Sequence, residues 1–108
     1  MSDDGFEKVA VMADLPKGTP VAVQLGGGEA VCLVRVGDEV FACEDRCSHA
    51  EFPMSDGEMV DDYVIECGLH GAQFDIRTGG VLELPACEDL QMYEVKVARE
   101  DVLVRSRS

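Results

Sequence analysis

Two short stretches hold the residues best suited to chemistry: Cys47-Ser48-His49 and, after 17 intervening residues, Cys67-Gly68-Leu69-His70-Gly71. The chain has two histidines in all, and each stands close to a cysteine at ligand spacing. A lone histidine is ordinarily packed or solvated. Both histidines sharing one cysteine-flanked setting points instead to a metal. Thiolate and imidazole donors together select zinc, copper or an iron–sulfur cluster, whereas magnesium and calcium prefer oxygen.

Two metal readings compete. A structural zinc site also takes two cysteines and two histidines in a tetrahedron. Zinc motifs, however, usually separate the first pair by at least two residues and close with a His–His pair. Here a single residue separates Cys47 from His49, and each half of the motif is mixed. Mixed halves suit a Rieske centre, in which one iron takes both thiolates and the other takes both imidazoles.

The pattern Cys47-x-His49, then Cys67-x-x-His70, resembles the Rieske motif. The run Cys67-Gly68-Leu69-His70-Gly71-Ala72-Gln73-Phe74-Asp75-Ile76-Arg77-Thr78-Gly79 is also similar to the small Rieske ferredoxins of bacterial multicomponent aromatic-ring-hydroxylating dioxygenase systems. The likeness covers nearly the whole chain and is strongest from about Glu44 to Leu90. It implies an all-β Rieske fold, with an antiparallel β-sandwich basal part and a smaller cluster-binding subdomain. It also implies one 2Fe–2S cluster held by Cys47, His49, Cys67 and His70, with the histidines at an exposed docking tip. The implied role is single-electron transfer from a flavin-containing, NAD(P)H-dependent ferredoxin reductase to a terminal oxygenase. In such proteins a proline-containing loop covers the cluster, and Leu84-Pro85-Ala86 stands at that place in the chain.

Terminal oxygenases add a mononuclear iron held by two histidines and a carboxylate. Once the cluster motif is filled, no histidine remains for such a site, so the chain reads as a carrier and not an enzyme. An accessory ferredoxin or small subunit of another redox system, such as nitrite reductase or iron–sulfur cluster assembly, is the alternative. A purely structural β-domain is a third. High-potential Rieske proteins join their two loops by a disulfide and donate a serine hydroxyl to a bridging sulfur. At those positions this chain has Phe52, Leu69 and Ala72, which predicts a low-potential centre.

Other residues near the motif have plainer readings. Gly68 and Gly71 are expected to permit tight turns that aim backbone N–H groups at the cluster sulfurs. Phe52 and Phe74 are expected to pack the loops. Cys32 alternates with apolar neighbours as a small core residue would. Cys43 and Cys87 are not assigned to the cluster.

The 108 residues suit one domain, with a basal part over about 1–44 and 77–108 and a cluster-binding part over about 45–76. Five cysteines cannot all pair internally, and the acidic Met1-Ser2-Asp3-Asp4 start lacks a signal-peptide pattern, so a cytoplasmic monomer with reduced thiols is expected. No apolar run approaches a bilayer span. The net charge of −13 argues against nucleic acid and anionic membranes and favours basic partner surfaces. The segment from Glu44 to Asp89 has twelve acidic and two basic residues, so most of that charge surrounds the motif.

Short Val-rich runs must position the site. Strands are predicted over Val21 to Leu25, Ala30 to Val36, Glu39 to Ala42, Tyr63 to Glu66, Tyr93 to Val97 and Asp101 to Arg105. Val95 and Val97 are expected on one face, with Glu94 and Lys96 on the other. Gly37-Asp38 and Glu100-Asp101 read as hairpin turns. Gly26-Gly27-Gly28 is followed by neither a helix pattern nor Lys-Ser/Thr, so it reads as a hairpin turn and not a phosphate cradle. Helix is limited to one turn over Met12 to Leu15.

Overall fold

The computed structural model describes residues 5–46, 53–68, 71–83 and 89–105. Strands β1 (Phe6–Val11), β2 (Val21–Gln24), β3 (Ala30–Val36) and β4 (Glu39–Glu44) come first. Next are β5 (Glu58–Asp61), β6 (Val64–Glu66), β7 (Gln73–Asp75) and β8 (Val81–Glu83). Finally come β9 (Met92–Tyr93), β10 (Val95–Ala98) and β11 (Asp101–Arg105). Single 3-10 turns lie at Met12–Asp14 and Met54–Asp56.

The strands form three antiparallel sheets: β1-β11-β10, β2-β3-β4-β9 and β5-β6-β7-β8. The all-β expectation is met. The middle sheet has a core on each side. Val31, Leu33, Val40 and Ala42 pack with Val102 and Val104 in one. Cys32, Val34 and Cys43 pack with Ile65, Cys67 and Phe74 in the other. This explains the sequence of β3: a strand buried on both faces reads as a continuous apolar run, and Val31 through Val34 are all buried.

Several predicted elements change on inspection. The strand expected over Tyr93 to Val97 is two strands, because the chain changes sheets at Glu94. Tyr93 pairs with Ala42 in the middle sheet, and Val95 pairs with Val104 in the first. Val97 is 41% exposed, so the apolar face expected there is incomplete. The last hairpin turns at Arg99-Glu100, with Ala98 opposite Asp101 and Arg99 at φ 60°. The glycine triplet is indeed a turn: the Leu25 N–H donates to the Glu29 carbonyl and the Gly28 N–H to the Leu25 carbonyl, each at 2.9 Å.

Three strands bulge. Val9 in β1, Val60 in β5 and Leu82 in β8 are each the extra residue between two register positions. Among the described residues, no helix is long and apolar enough to cross a membrane.

Candidate metal centre

The third sheet carries the second half of the motif. Cys67 follows β6 directly and is 1% exposed. The Cys67 N–H donates to the Ala72 carbonyl at 2.8 Å, and the Gly71 N–H donates to the Cys67 carbonyl at 3.1 Å. These two bonds close the turn from β6 to β7. Gly71 has φ +77°, a conformation costly for residues with a Cβ. The tight turn expected at Gly71 is thus present, and its own N–H helps to close it. Ala72 is fully buried, and its methyl has no proton to donate.

The first half of the motif leaves from β4. Cys47, His49 and His70 lie outside the described residues, as do Phe52, Leu69, Cys87 and the Leu84-Pro85-Ala86 stretch. The two ends of the first loop are described. Asp45 Oδ1 accepts the Ser55 N–H at 2.7 Å, and Asp45 Oδ2 accepts the Ser55 hydroxyl at 2.8 Å. Just beyond, Gly57 lies against the Glu66 carbonyl so closely that a Cβ would collide with it. Cys43, Met54, Cys67 and Ala72 all belong to one buried cluster. The bases of both motif-bearing stretches therefore converge on the same apolar core.

Two of the cysteines outside the motif, Cys32 and Cys43, lie in the same apolar core as Cys67. Cys32 and Cys43 face each other across β3 and β4, both fully buried and both free thiols. A hydrogen bond with the Cys32 thiol pushes the Cys43 thiol above its usual ionisation range, and burial adds to the shift. Both thus pack as small apolar residues, as expected for Cys32. Phe74, also fully buried, is a packing residue as expected.

Sequence reasoning missed the hydrogen bonds at the loop bases. Glu66 Oε2 accepts from Gln73 Nε2 at 3.0 Å. Asp89 Oδ1 accepts the Val81 N–H at 3.0 Å. Glu44 Oε2 accepts the Gln91 N–H, while the Glu44 N–H donates to the Gln91 carbonyl, both at 2.8 Å. Farther from the motif, Arg77 stacks 4.3 Å from the Tyr63 ring centre and grips Asp75 through two hydrogen bonds. Tyr63 meets Phe41 edge to face at 6.1 Å, which links the third sheet to β4.

The donor set fits an iron–sulfur cluster. Cys67, the one motif donor within the described residues, is an unpaired thiol shielded from water by apolar neighbours. Such a dry seat suits a sulfide-bridged cluster, whose potential depends on burial and nearby hydrogen bonds.

Comparison with known proteins agrees. The Rieske [2Fe-2S] domain family matches residues 5–94. The biphenyl 2,3-dioxygenase ferredoxin component of Rhodococcus jostii (strain RHA1) is 42% identical over 97 residues, covering 90% of this chain and 89% of that protein. The ferredoxin of carbazole 1,9a-dioxygenase from Nocardioides aromaticivorans IC177 superposes with a TM-score of 0.89 at 36% identity, covering 94% of this chain and 98% of that one. A chain from the solved complex of reduced oxygenase and oxidized ferredoxin in carbazole 1,9a-dioxygenase gives 0.87 at 34% identity, covering 95% and 94%. With this fold, this buried cysteine and these relatives, the chain belongs to the Rieske [2Fe-2S] domain family and is an electron carrier with one Rieske-type 2Fe–2S cluster.

Proposed function

We propose that this carrier takes single electrons from a flavin-containing, NAD(P)H-dependent reductase and delivers them to a terminal aromatic-ring-hydroxylating oxygenase. The observation that carries this reading is the near full-length likeness to a dioxygenase ferredoxin component. A ferredoxin of similar fold is also named in a complex with its oxygenase. We assign Cys47 and Cys67 to one iron and His49 and His70 to the other. The support is the mixed motif and the absence of any further histidine in the chain.

When bound, the cluster supplies one-electron redox chemistry. The chain's own part is to hold the donors, keep water from the thiolate side and present a docking surface. Burial of Cys67 and Ala72 supports the second of these. The chain works as a single Rieske domain, basal over about 1–44 and 77–108 and cluster-binding over about 45–76. Strand β8 falls beyond that boundary in sequence but pairs with β7. A monomer in the reducing cytoplasm suits the facing thiols of Cys32 and Cys43, which are not joined.

The experiment is spectroscopy and voltammetry on the purified protein. Two irons, two sulfides and a reduced EPR signal with average g near about 1.9 are expected. Cys47→Ser or His70→Ala should abolish that spectrum, and a colourless protein with one zinc would end the ligand assignment. Two ferric ions, two sulfides and two thiolates make the oxidised core formally neutral, so its potential should exceed that of all-cysteine clusters. Without a serine donor at Ala72, the midpoint should lie near about −150 mV and change little around neutral pH. Reduction by a candidate reductase, followed by oxygenase turnover, tests the partners.

A further inference from the structure

Two stretches carry the motif, and the resemblance implies that a third, with Leu84-Pro85-Ala86, covers the cluster; among the described residues a carboxylate bonds across the ends of each. Asp45 stands two residues before Cys47 and bonds across to Ser55 through both of its oxygens. Glu66 immediately precedes Cys67 and accepts from Gln73, beyond the turn. Asp89 ends the stretch containing Leu84-Pro85-Ala86 and accepts the Val81 N–H, before that stretch begins. The donors are neutral groups, and a hydrogen bond accepted by a carboxylate is stronger than one between two neutral groups.

The geometry of each acid is itself fixed. The Asp45 N–H donates to the Ala30 carbonyl at 3.0 Å, so the carboxylate extends from an anchored backbone. Glu66 pairs in register with Glu58 on one side and Gln73 on the other, and like charges directly opposite are unfavourable. Its bond to Gln73 brings Glu66 Oε2 beside Gly71, at the turn after Cys67. Asp89 is followed by Leu90, whose N–H donates to the Gly79 carbonyl at 2.8 Å, which secures the far end of the third loop.

We propose that Asp45, Glu66 and Asp89 are positioning residues, each fixing one loop of the metal centre by a hydrogen bond across its base. The inference rests on the assignment of Cys47, His49, Cys67 and His70 as ligands. It gives part of the acidic segment a role inside the molecule, in addition to any display of charge to a partner. Asp45 has the largest effect, because it makes two bonds and they are partly buried.

The test compares two substitutions at each acid in the full-length, cluster-loaded protein. Asp45→Ala, Glu66→Ala and Asp89→Ala remove the bond. Asp45→Asn, Glu66→Gln and Asp89→Asn remove the charge but keep an acceptor. The readouts are the reduced EPR line shape and the rate of iron loss to a strong chelator. Asp45→Ala should shift or broaden the spectrum and speed iron loss about tenfold or more, as loss of an outer partner does at metal sites. The amide variants should stay close to wild type. Ser55→Ala, which removes one of the two Asp45 bonds, should change both readouts in the same direction by less, and it guards against simple misfolding of Asp45→Ala.

Alanine variants with wild-type spectra and iron retention would overturn the inference. So would amide variants damaged as severely as the alanine ones, since charge and not the bond would then matter. Cys47→Ser separates the two levels. If it keeps the wild-type spectrum, the ligand assignment fails and takes this inference with it. If it loses the spectrum while Asp45→Ala keeps it, only this inference fails.

Discussion

The two sides of the middle sheet are built on different principles. On the side of the first sheet, β3 and β4 hold six register pairs and their branched side chains fill a core with Val102 and Val104. On the other side, β6 and β7 share only three pairs, and both edge ladders of the third sheet slip register. Longer ladders and apolar packing determine the first region many times over. The second has an apolar core of its own, but its short ladders are supplemented by a few specific side-chain bonds. Damage to the first should therefore lower stability and leave the spectrum alone, whereas damage to the second should change both.

The largest expected effects come from truncating each core. Leu33→Ala should cost about 2–5 kcal/mol in chemical unfolding and leave the EPR spectrum of the folded protein unchanged. Phe74→Ala should cost about 3–5 kcal/mol and also perturb the spectrum, because Phe74 shares its core with Cys67. An unchanged spectrum in Phe74→Ala would erase the contrast.

Next come the buried thiols. Cys32→Ser and Cys43→Ser should each cost about 1–3 kcal/mol, because a hydroxyl is harder to bury, while preserving the cluster signal. Cys87→Ser should preserve that signal too. The Cys43 thiol ionises above its usual range, first through its bond with Cys32 and then through burial. Its contribution is complete at neutral pH and below, and declines as the pH rises through the ionisation of the unfolded thiol. Wild type should thus lose part of its stability advantage over Cys43→Ala in alkali, as followed by unfolding at several pH values.

Smaller again is the effect of salt on partner reduction. The acidic segment should steer the carrier onto basic surfaces, so the second-order rate should fall about tenfold between 0.1 M and 1 M salt as screening shortens from about 10 Å to about 3 Å. Neutralising Asp56 and Glu58 should weaken that dependence more than neutralising Glu94 and Glu100. A rate independent of salt would mean that the acidic face points away from the contact.

The smallest effect concerns Arg77. Its bonds to Asp75 hold that carboxyl below its ordinary range. Because the folded value is lowered, the pair contributes above the unfolded carboxyl's value, and the contribution vanishes as the pH falls through the folded one. Arg77 is well exposed and solvent screens the pair, so Arg77→Ala should lower stability only slightly at neutral pH, with the difference from wild type closing in acid.

The long strands were legible in the sequence because burial on one or both faces leaves a simple apolar pattern, as in Ala30–Val36. β5, β7 and β8 escaped because each has only three or four residues in a stretch rich in glycine and acid. β1 escaped for another reason: its bulge at Val9 interrupts the alternation on which recognition depends. The family was legible from the Cys/His motif because metal chemistry restricts both residue type and spacing. The bonds at the loop bases were not. Asp45 and Ser55 are ten residues apart, and only the folded path of the chain brings an ordinary acid to an ordinary serine. Gly71 was singled out correctly, but the destination of its N–H depends on the turn's closure and not on composition.

The bulges at Val9, Val60 and Leu82 have a consequence for life at high concentration. All three lie on strands at the margins of their sheets: β1, β5 and β8. A straight margin offers a row of unsatisfied N–H and carbonyl groups on which another copy can add as the next strand. A bulge breaks the spacing of that row and increases its twist. Both margins of the third sheet are thus poorly matched to the regular stacking from which fibres grow, even where copies are crowded together.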